Sequence, residues 1–230
     1  MSSILRQPNS YLRPDAQPRR QCSESRKRRR APDGFLNDET LAAQRLALLP
    51  IDQQTRLFDP GKGETRTPEF LALNPNGRVP LLILPDGRRL SESNAMLLYL
   101  AEGTRYLPAG RYERALVNQW LFFEQYDHEP QIAVARSWIT VYPEKRGKAT
   151  TDQLAGWQDK GNRALAVMEK RLSGNAWLAG SACSVADIAL YAYTHVADEG
   201  GFDLTRYPGI SSWIARVAAE PGYVDLNWRP

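Results

Sequence analysis

The sequence predicts a small α/β domain followed by an all-helical domain, an α/β plus all-α architecture. In the first half of the chain, short apolar runs and a two-residue hairpin turn alternate with helical patterns. Beyond Gly103 the patterns are long and helical, with no convincing strand. The 230 residues suffice for two small domains, and a composition of 42% hydrophobic and 24% charged residues excludes wholesale disorder.

The positive charge of the chain is concentrated in residues 1–34. Nine basic and three acidic residues give this segment a net charge of +6, whereas the remainder has 21 basic and 23 acidic residues, a net charge of −2. Because the segment also has four prolines and no helical or strand period, we predict a disordered leader. The basic run 26–30 is compatible with a nucleic-acid-binding arm or a nuclear signal, but no aromatic residues interleave it, and we expect no nucleic-acid partner.

The α/β domain is predicted over residues 35–103. Proline and glycine positions and apolar spacing delimit its elements. In chain order these are a helix over 39–49, an extended segment over 55–58, a helix over 67–73 capped by Thr67, a strand over 79–84, a hairpin turn at Asp86–Gly87, a strand over 88–90 and a helix opening near 91–93. No first strand precedes the helix at 39, so that strand is missing or replaced.

The all-helical domain is predicted over residues 108–230. Helical patterns cover 112–139, with an interruption near Pro130, then 152–172, and 211–219. Ser184 and Asp187 have the spacing of a capping box at the start of a further helix. Cys183 and Ile188 would close its entry as a hydrophobic staple, so we interpret Cys183 as structural.

Several classes of function are disfavoured by the residues themselves. Two cysteines and two histidines without ligand spacing predict no metal site, and Gly61-Lys62-Gly63 lacks the third glycine of a nucleotide-binding loop. The longest apolar run, residues 81–84, is far too short to span a membrane, and no apolar signal segment follows the start. We therefore expect a cytoplasmic protein without a membrane, metal or nucleotide partner.

Two separate motifs resemble the cytosolic glutathione S-transferases, bacterial members in particular. Residues 74–80, the Asp86–Gly87 turn and residues 91–95 look like the glutathione-binding half of that family, and residues 184–190 with 207–209 look like its helical half. The resemblance implies a thioredoxin-like N-terminal domain, glutathione as co-substrate, a small apolar electrophile as its acceptor, and a homodimer. It also leaves two alternatives, a glutathione-binding member without catalysis and a thiol-disulfide oxidoreductase.

The same resemblance assigns the glutathione-binding residues Arg78, Val79, Pro80, Glu92 and Ser93. Pro80 is cis in the family, and the backbone of the preceding residue pairs with the cysteinyl part of glutathione. An acid and a hydroxyl at a helix start suit the α-amino and α-carboxylate groups of the γ-glutamyl end. The alternative is that the acid and the serine merely cap their helix, that the proline merely ends a strand, and that the arginine is solvated.

Three further residues, Tyr126, Arg136 and Trp138, are candidates for the electrophile pocket, because the family builds that pocket from the first helices of its second domain. The alternative is that they are bundle core with a surface arginine.

The residue that activates the thiol is unknown from the sequence. The family places Tyr, Ser or Cys at the end of its first strand, but residues 31–38 contain none of these. Thr40 is the nearest hydroxyl; Ser10, Tyr11, Cys22 and Ser23 lie farther upstream. We hypothesise that the beginning of this reading frame is not the ancestral one, owing to a shifted frame or an altered upstream exon.

Overall fold

The computed structural model describes residues 4–6, 54–56, 58–142 and 144–225. Four strands form one sheet in the order β2-β1-β3-β4, with β1 at Ile4–Arg6, β2 at Gln54–Arg56, β3 at Leu81–Ile83 and β4 at Arg89–Ser91. The strands β3 and β4 pair antiparallel across the turn at Asp86–Gly87, in the predicted hairpin. The predicted strands at 79–84 and 88–90 are thus confirmed with shifted ends, whereas the helix at 39–49 lies outside the described residues.

The first strand is the main correction to the sequence analysis. Ile4–Arg6 occupies a central position of the sheet, although these residues fall in the segment predicted to be disordered. The prediction of disorder is therefore wrong for Ile4–Arg6. Three residues are too short to show a period, but a strand here pairs backbone groups of β2 and β3 that would otherwise face a gap. The strand runs antiparallel to β2 and parallel to β3, so its direction opposes that of a first strand in a βαβ unit.

Two helices complete the described part of the α/β domain. Helix α1 is Pro68–Leu73, and its N-cap Thr67 accepts a hydrogen bond from the Phe70 amide over 3.2 Å, as predicted. Helix α2 is Ser93–Leu100 and begins two residues after β4 ends. The hairpin therefore determines where the N-terminus of α2 lies.

The described residues of the second domain form helices joined by turns, with no strand among them. Its α-helices are α3 at Arg111–Phe123, α4 at Glu129–Arg136, α5 at Thr151–Leu172, α6 at Val185–Thr194 and α7 at Pro208–Ala218. The interruption expected near Pro130 is a π-helical turn at Glu124–His128, and a second π-helical turn follows at Ser137–Val141. The proline itself lies in the first turn of α4, where its missing N–H has no intrahelical acceptor to lose.

One hydrophobic core joins the two domains. Leu82 of β3 and Met96 and Leu97 of α2 belong to the same buried cluster as Leu165 of α5 and Ile188 of α6. A smaller cluster of Phe58, Phe70 and Leu81 is separate from this core. Because α2 packs into the shared core, the position of its N-terminus depends on the helical domain as well as on the sheet.

Candidate functional site

The sheet brings two of the predicted segments together at one edge. In the β3-β4 ladder Leu81 faces Ser91, and directly paired Cα atoms in such ladders are about 4.5–5.5 Å apart. Pro80 immediately precedes the first of these residues, and Glu92 immediately follows the second. The residues that the sequence assigned to one site on separate motifs therefore meet at the start of β3 and the end of β4.

The loop before β3 is fixed by its own hydrogen bonds. Asn74 is buried; its side-chain amide donates to the Arg78 carbonyl over 2.7 Å, and its carbonyl oxygen Oδ1 accepts from the Asn76 amide over 3.2 Å. Gly77 has φ 61°, and a Cβ there would lie 2.9 Å from the Thr65 carbonyl oxygen, so only glycine fits. This turn delivers the next residues to the sheet edge in a defined conformation.

Val79 and Pro80 stand outside the described strand ladder. The Val79-Pro80 peptide bond is cis, as the resemblance implies. The ladders of β3 with β1 and with β4 both begin at Leu81, so the backbone of Val79 lies beyond the paired positions. An extended peptide can add to backbone groups in such a place.

Glu92 has the most unusual backbone of the site. Its φ is 70°, and it is the one residue other than glycine with positive φ among those the structure describes. It is the N-cap residue of α2, but its exposed side chain makes no capping hydrogen bond. Non-glycine residues in this region carry strain that is typical of ligand-binding positions. The alternative that the acid merely caps its helix does not describe this geometry.

The first turn of α2 is tied to the helical domain by a contact that sequence reasoning missed. The Asn94 side-chain amide donates to Glu124 Oε2 over 2.8 Å and to the Leu121 carbonyl over 3.3 Å. Glu124 is fully buried at the start of the first π-helical turn, and it also accepts from Gln125 Nε2 over 2.7 Å. Half-buried Ser93 lies between Glu92 and Asn94 in the chain, so the contact of Asn94 with the helical domain holds the start of α2 in place. The sequence offered one signal for this contact, because Glu124 is a charged residue within an apolar, aromatic run.

Arg78 and the three pocket candidates occupy different environments. Arg78 is exposed and forms no salt bridge with another described residue. Tyr126 is also exposed, at 82% of its surface, whereas Trp138 is half-buried with its ring 5.7 Å from that of Trp157. Arg136 is buried and donates to Glu199 Oε2 over 2.8 Å, so the alternative of a surface arginine is wrong. The pocket role of these residues stays a prediction.

The thiol-activating position also stays open. The candidates Ser10, Tyr11, Cys22, Ser23 and Thr40 lie outside the described residues. At the end of β1, Arg6 pairs with Ile83, at the opposite end of the ladder from Leu81. The chain therefore leaves its first strand away from the Glu92 edge. Cys183 is no substitute, because burial and the nearby Asp187 carboxylate raise the pKa of its thiol.

The chain belongs to the glutathione S-transferase family. Residues 46–102 match the model of the glutathione S-transferase N-terminal domain, and residues 138–221 match that of the C-terminal domain. These matches agree with the thioredoxin-like domain and the helical domain that the resemblance implied.

Individual relatives differ in their described activities. A glutathione S-transferase structure from Pseudomonas fluorescens is 48% identical, with a TM-score of 0.77, and the match covers 81% of this chain and 92% of that one. Disulfide-bond oxidoreductase YfcG of Escherichia coli is 32% identical over 74% of this chain and 81% of its own. A structure of Ure2p in complex with S-p-nitrobenzylglutathione is 25% identical, with a TM-score of 0.72, over 82% of this chain and 88% of that one. Family membership therefore does not decide the reaction.

The described residues lack the features of two other classes of site. No group of three or more His, Cys, Asp or Glu side chains there is arranged to hold a metal ion. None of the helices in these parts of the chain combines the length and the apolar character that crossing a bilayer requires.

Proposed function

We propose that the protein binds glutathione at the edge formed by Val79, Pro80, Glu92 and Ser93, and transfers its thiolate to a small apolar electrophile. The observation that carries the proposal is the juxtaposition of Val79, which has no ladder partner among the described residues, with the N-terminus of α2. The proposed cellular location is the cytoplasm, and a homodimer is the expected assembly in this family.

The charges of the edge match those of the γ-glutamyl end. The exposed Glu92 carboxylate suits the ammonium group, because it makes no capping hydrogen bond to its own helix. The positive dipole end of α2, together with Ser93 in its first turn, suits the α-carboxylate. The backbone of Val79 suits the cysteinyl residue, and the exposed guanidinium of Arg78 suits the glycyl carboxylate.

Retention on glutathione-agarose and conjugation of 1-chloro-2,4-dinitrobenzene test this proposal. Retention with turnover supports a conjugating enzyme, and retention without turnover supports a binding member that does not catalyse conjugation. Replacing Glu92 or Ser93 by alanine is expected to weaken glutathione binding about tenfold or more, since each removes a charge-assisted bond. Glu69→Ala is the control, because Glu69 is an exposed acid in the first turn of α1. Unchanged retention of both site variants would contradict the proposed site.

A second candidate, reduction of disulfides, is favoured by the 32% identical oxidoreductase. In that reaction two glutathione thiols would be oxidised to one disulfide while the substrate disulfide is reduced to two thiols. Because the thiol of Cys183 is buried, the described residues offer no protein thiol for the exchange. Activity that persists in Cys22→Ser supports glutathione as the only reductant, whereas activity lost in that variant supports a protein thiol.

A further inference from the structure

The turn that delivers Val79 and Pro80 to the sheet edge contains a glycine with no side chain of its own to restrain it. Gly77 has φ 61°, and a Cβ there would also meet the Thr65 carbonyl oxygen, so the position requires glycine. Glycine has more conformational freedom than any other residue. Without an outside restraint, the segment between Gly77 and Val79 would adopt several conformations, and a ligand that pairs with the Val79 backbone needs one of them.

The guanidinium of Arg66 lies against this glycine. A Cβ on Gly77 would be 2.6 Å from Arg66 Nη1 and 3.0 Å from Arg66 Cζ, so the guanidinium occupies the space of the missing side chain. The same Nη1 donates to the Asn76 carbonyl over 3.2 Å. Gly77 is buried whereas Arg66 is exposed, so the arginine covers the turn on its solvent side.

The peptide group between Asn76 and Gly77 is held at both ends. Its N–H, which belongs to Gly77, donates to the Asn74 carbonyl over 2.8 Å. Its C=O, which belongs to Asn76, accepts the hydrogen bond from Arg66. Since Asn74 is buried, the turn has an inner contact from this asparagine and an outer contact from the arginine. Rotation of the peptide group would break both hydrogen bonds.

The backbone of Arg66 is itself fixed. This residue ends the 3-10 turn Glu64–Arg66, its amide donates to the Gly63 carbonyl over 2.9 Å, and Thr67 directly after it is the N-cap of α1. No salt bridge joins Arg66 to another residue that the structure describes. Within the described part of the chain, the guanidinium thus has the turn rather than an acid as its hydrogen-bond partner.

We propose that Arg66 is a positioning residue of the glutathione site, because its guanidinium holds Gly77 in one conformation and keeps the Val79 backbone ready to pair with the ligand. This role rests on the proposed binding of glutathione at the Val79 edge. The apparent dissociation constant of a ligand rises as the fraction of protein in the binding conformation falls. Loss of the arginine should therefore weaken binding without removing any contact to the ligand.

Calorimetric titration of the full chain with glutathione tests this role. Arg66→Ala is expected to raise the dissociation constant about five- to tenfold. Arg66→Lys keeps a donor for the Asn76 carbonyl, so its constant should lie between those of the wild type and the alanine variant. Arg89→Ala is the matched control, because Arg89 is also exposed and donates to a backbone carbonyl, that of Ala72, over 2.8 Å. Arg89 pairs with Ile83 at the far end of the ladder, and its loss should leave the constant unchanged.

A second ligand separates positioning from direct binding. The glycyl ethyl ester of glutathione has no charge at its C-terminal carboxyl group. A positioning residue should change the dissociation constants of glutathione and the ester by the same factor. A loss confined to glutathione would show that Arg66 binds the carboxylate itself, and would overturn the positioning role. Unchanged constants for both ligands in Arg66→Ala would overturn it as well.

Hydrogen exchange of the free chain, followed by NMR, tests the restraint without any ligand. The Gly77 amide is expected to exchange at least about fivefold faster in Arg66→Ala, because opening of the turn frees it from the Asn74 carbonyl. Arg89→Ala should leave this rate unchanged. An unchanged rate in Arg66→Ala would overturn the proposal. A wild-type chain that binds neither ligand would contradict the proposed function, and the exchange rate would still decide whether Arg66 restrains the turn.

Discussion

The helices α2 and α6 both begin with a serine near an acid, but the two acids have different roles. At α6, Asp187 is fully buried and accepts hydrogen bonds from the Ser184 and Leu178 amides, both over 2.9 Å, and from Trp213 Nε1 over 3.0 Å. At α2, Glu92 is exposed, has φ 70° and makes no capping bond. Polar groups that satisfy the protein itself stabilise the fold, whereas polar groups left unsatisfied at an edge are available to a ligand.

The surroundings of the two helices explain the difference. All ten residues of α6 are buried, so every donor at its N-terminus needs a partner inside the protein. Helix α2 begins at the edge of the sheet, where water or a ligand can satisfy the same groups. Changes at the two N-termini should therefore separate stability from binding.

The largest effect is expected at α6. Asp187→Ala removes the acceptor of four donors, which are the Leu178 and Ser184 amides, the Ser184 hydroxyl and the Trp213 indole, and the change leaves these donors buried. Loss of such a network costs roughly 3–5 kcal/mol of the free energy of unfolding. Urea denaturation followed by tryptophan fluorescence measures the loss.

A matched change distinguishes the network from capping in general. Asp203 caps a short 3-10 turn with an exposed side chain, so Asp203→Ala should cost far less than Asp187→Ala. If Asp187→Ala does not fold, Asp187→Asn, which keeps an acceptor oxygen, should fold with a smaller loss. Equal losses of stability at Asp187 and Asp203 would contradict the argument that burial makes the Asp187 contacts more stabilising.

The other end of α6 predicts a dependence on pH. Burial lowers the pKa of His195 from 6.5 to about 4, while its ring stacks on Tyr191 at 4.3 Å and Nδ1 lies 2.7 Å from the Tyr191 carbonyl oxygen. Because the unfolded chain binds this proton more readily, stability should be full above pH 6.5 and fall as the pH drops towards 4, by at most about 3 kcal/mol.

His195→Phe keeps an aromatic ring against Tyr191 but removes the titrating group. All other ionisable groups are shared by the two proteins, so the difference between their stability profiles isolates this histidine. The variant is expected to have a lower free energy of unfolding at neutral pH and a flatter profile between pH 6.5 and 4. Parallel profiles would contradict the assignment.

The capping residues show how much of the fold the sequence predicts. Thr67 and the pair Ser184 and Asp187 were identified from local spacing, and the structure confirms all three, because a cap is determined by residues within one turn. The position of Ile4–Arg6 was not predicted, because a three-residue strand is selected by the gap that it fills in the sheet. Non-local pairing of this kind leaves little signal in the strand itself.

The residues of the candidate site also divide into those that the local sequence predicts and those whose contacts depend on non-local packing. Glu92 and Ser93 were predicted from a local motif that the family shares, and the ladder places them beside Pro80. Asn94 and Glu124 are 30 residues apart, and their contact depends on how α2 packs against α3 and the π-helical turn. The alternative of a surface arginine at Arg136 relied on the usual exposure of arginines, but Glu199 pairs with this side chain in a buried position.

The contact between Asn94 and Glu124 gives a prediction in which the effect on stability is of intermediate size. Asn94→Asp places a second carboxylate beside the buried Glu124, which should lower the free energy of unfolding by about 2 kcal/mol and weaken glutathione binding. Adding Glu124→Gln supplies an amide that can donate to the new aspartate, and most of both losses should be recovered. A double variant as unstable as the sum of the single ones would show that the two side chains act independently.

The smallest effect on stability is expected at Glu92. The direction of this effect distinguishes the N-terminus of α2 most clearly from that of α6. Glu92→Gly and Glu92→Ala both remove the carboxylate, so both should lose glutathione binding. Only glycine adopts φ 70° without strain, so the glycine variant should be more stable than the alanine variant by about 1 kcal/mol. Chemical denaturation of the two proteins measures this difference. An alanine variant as stable as the glycine variant would mean that the backbone at Glu92 relaxes once its carboxylate is gone, and that the strain belongs to the acid rather than to the turn.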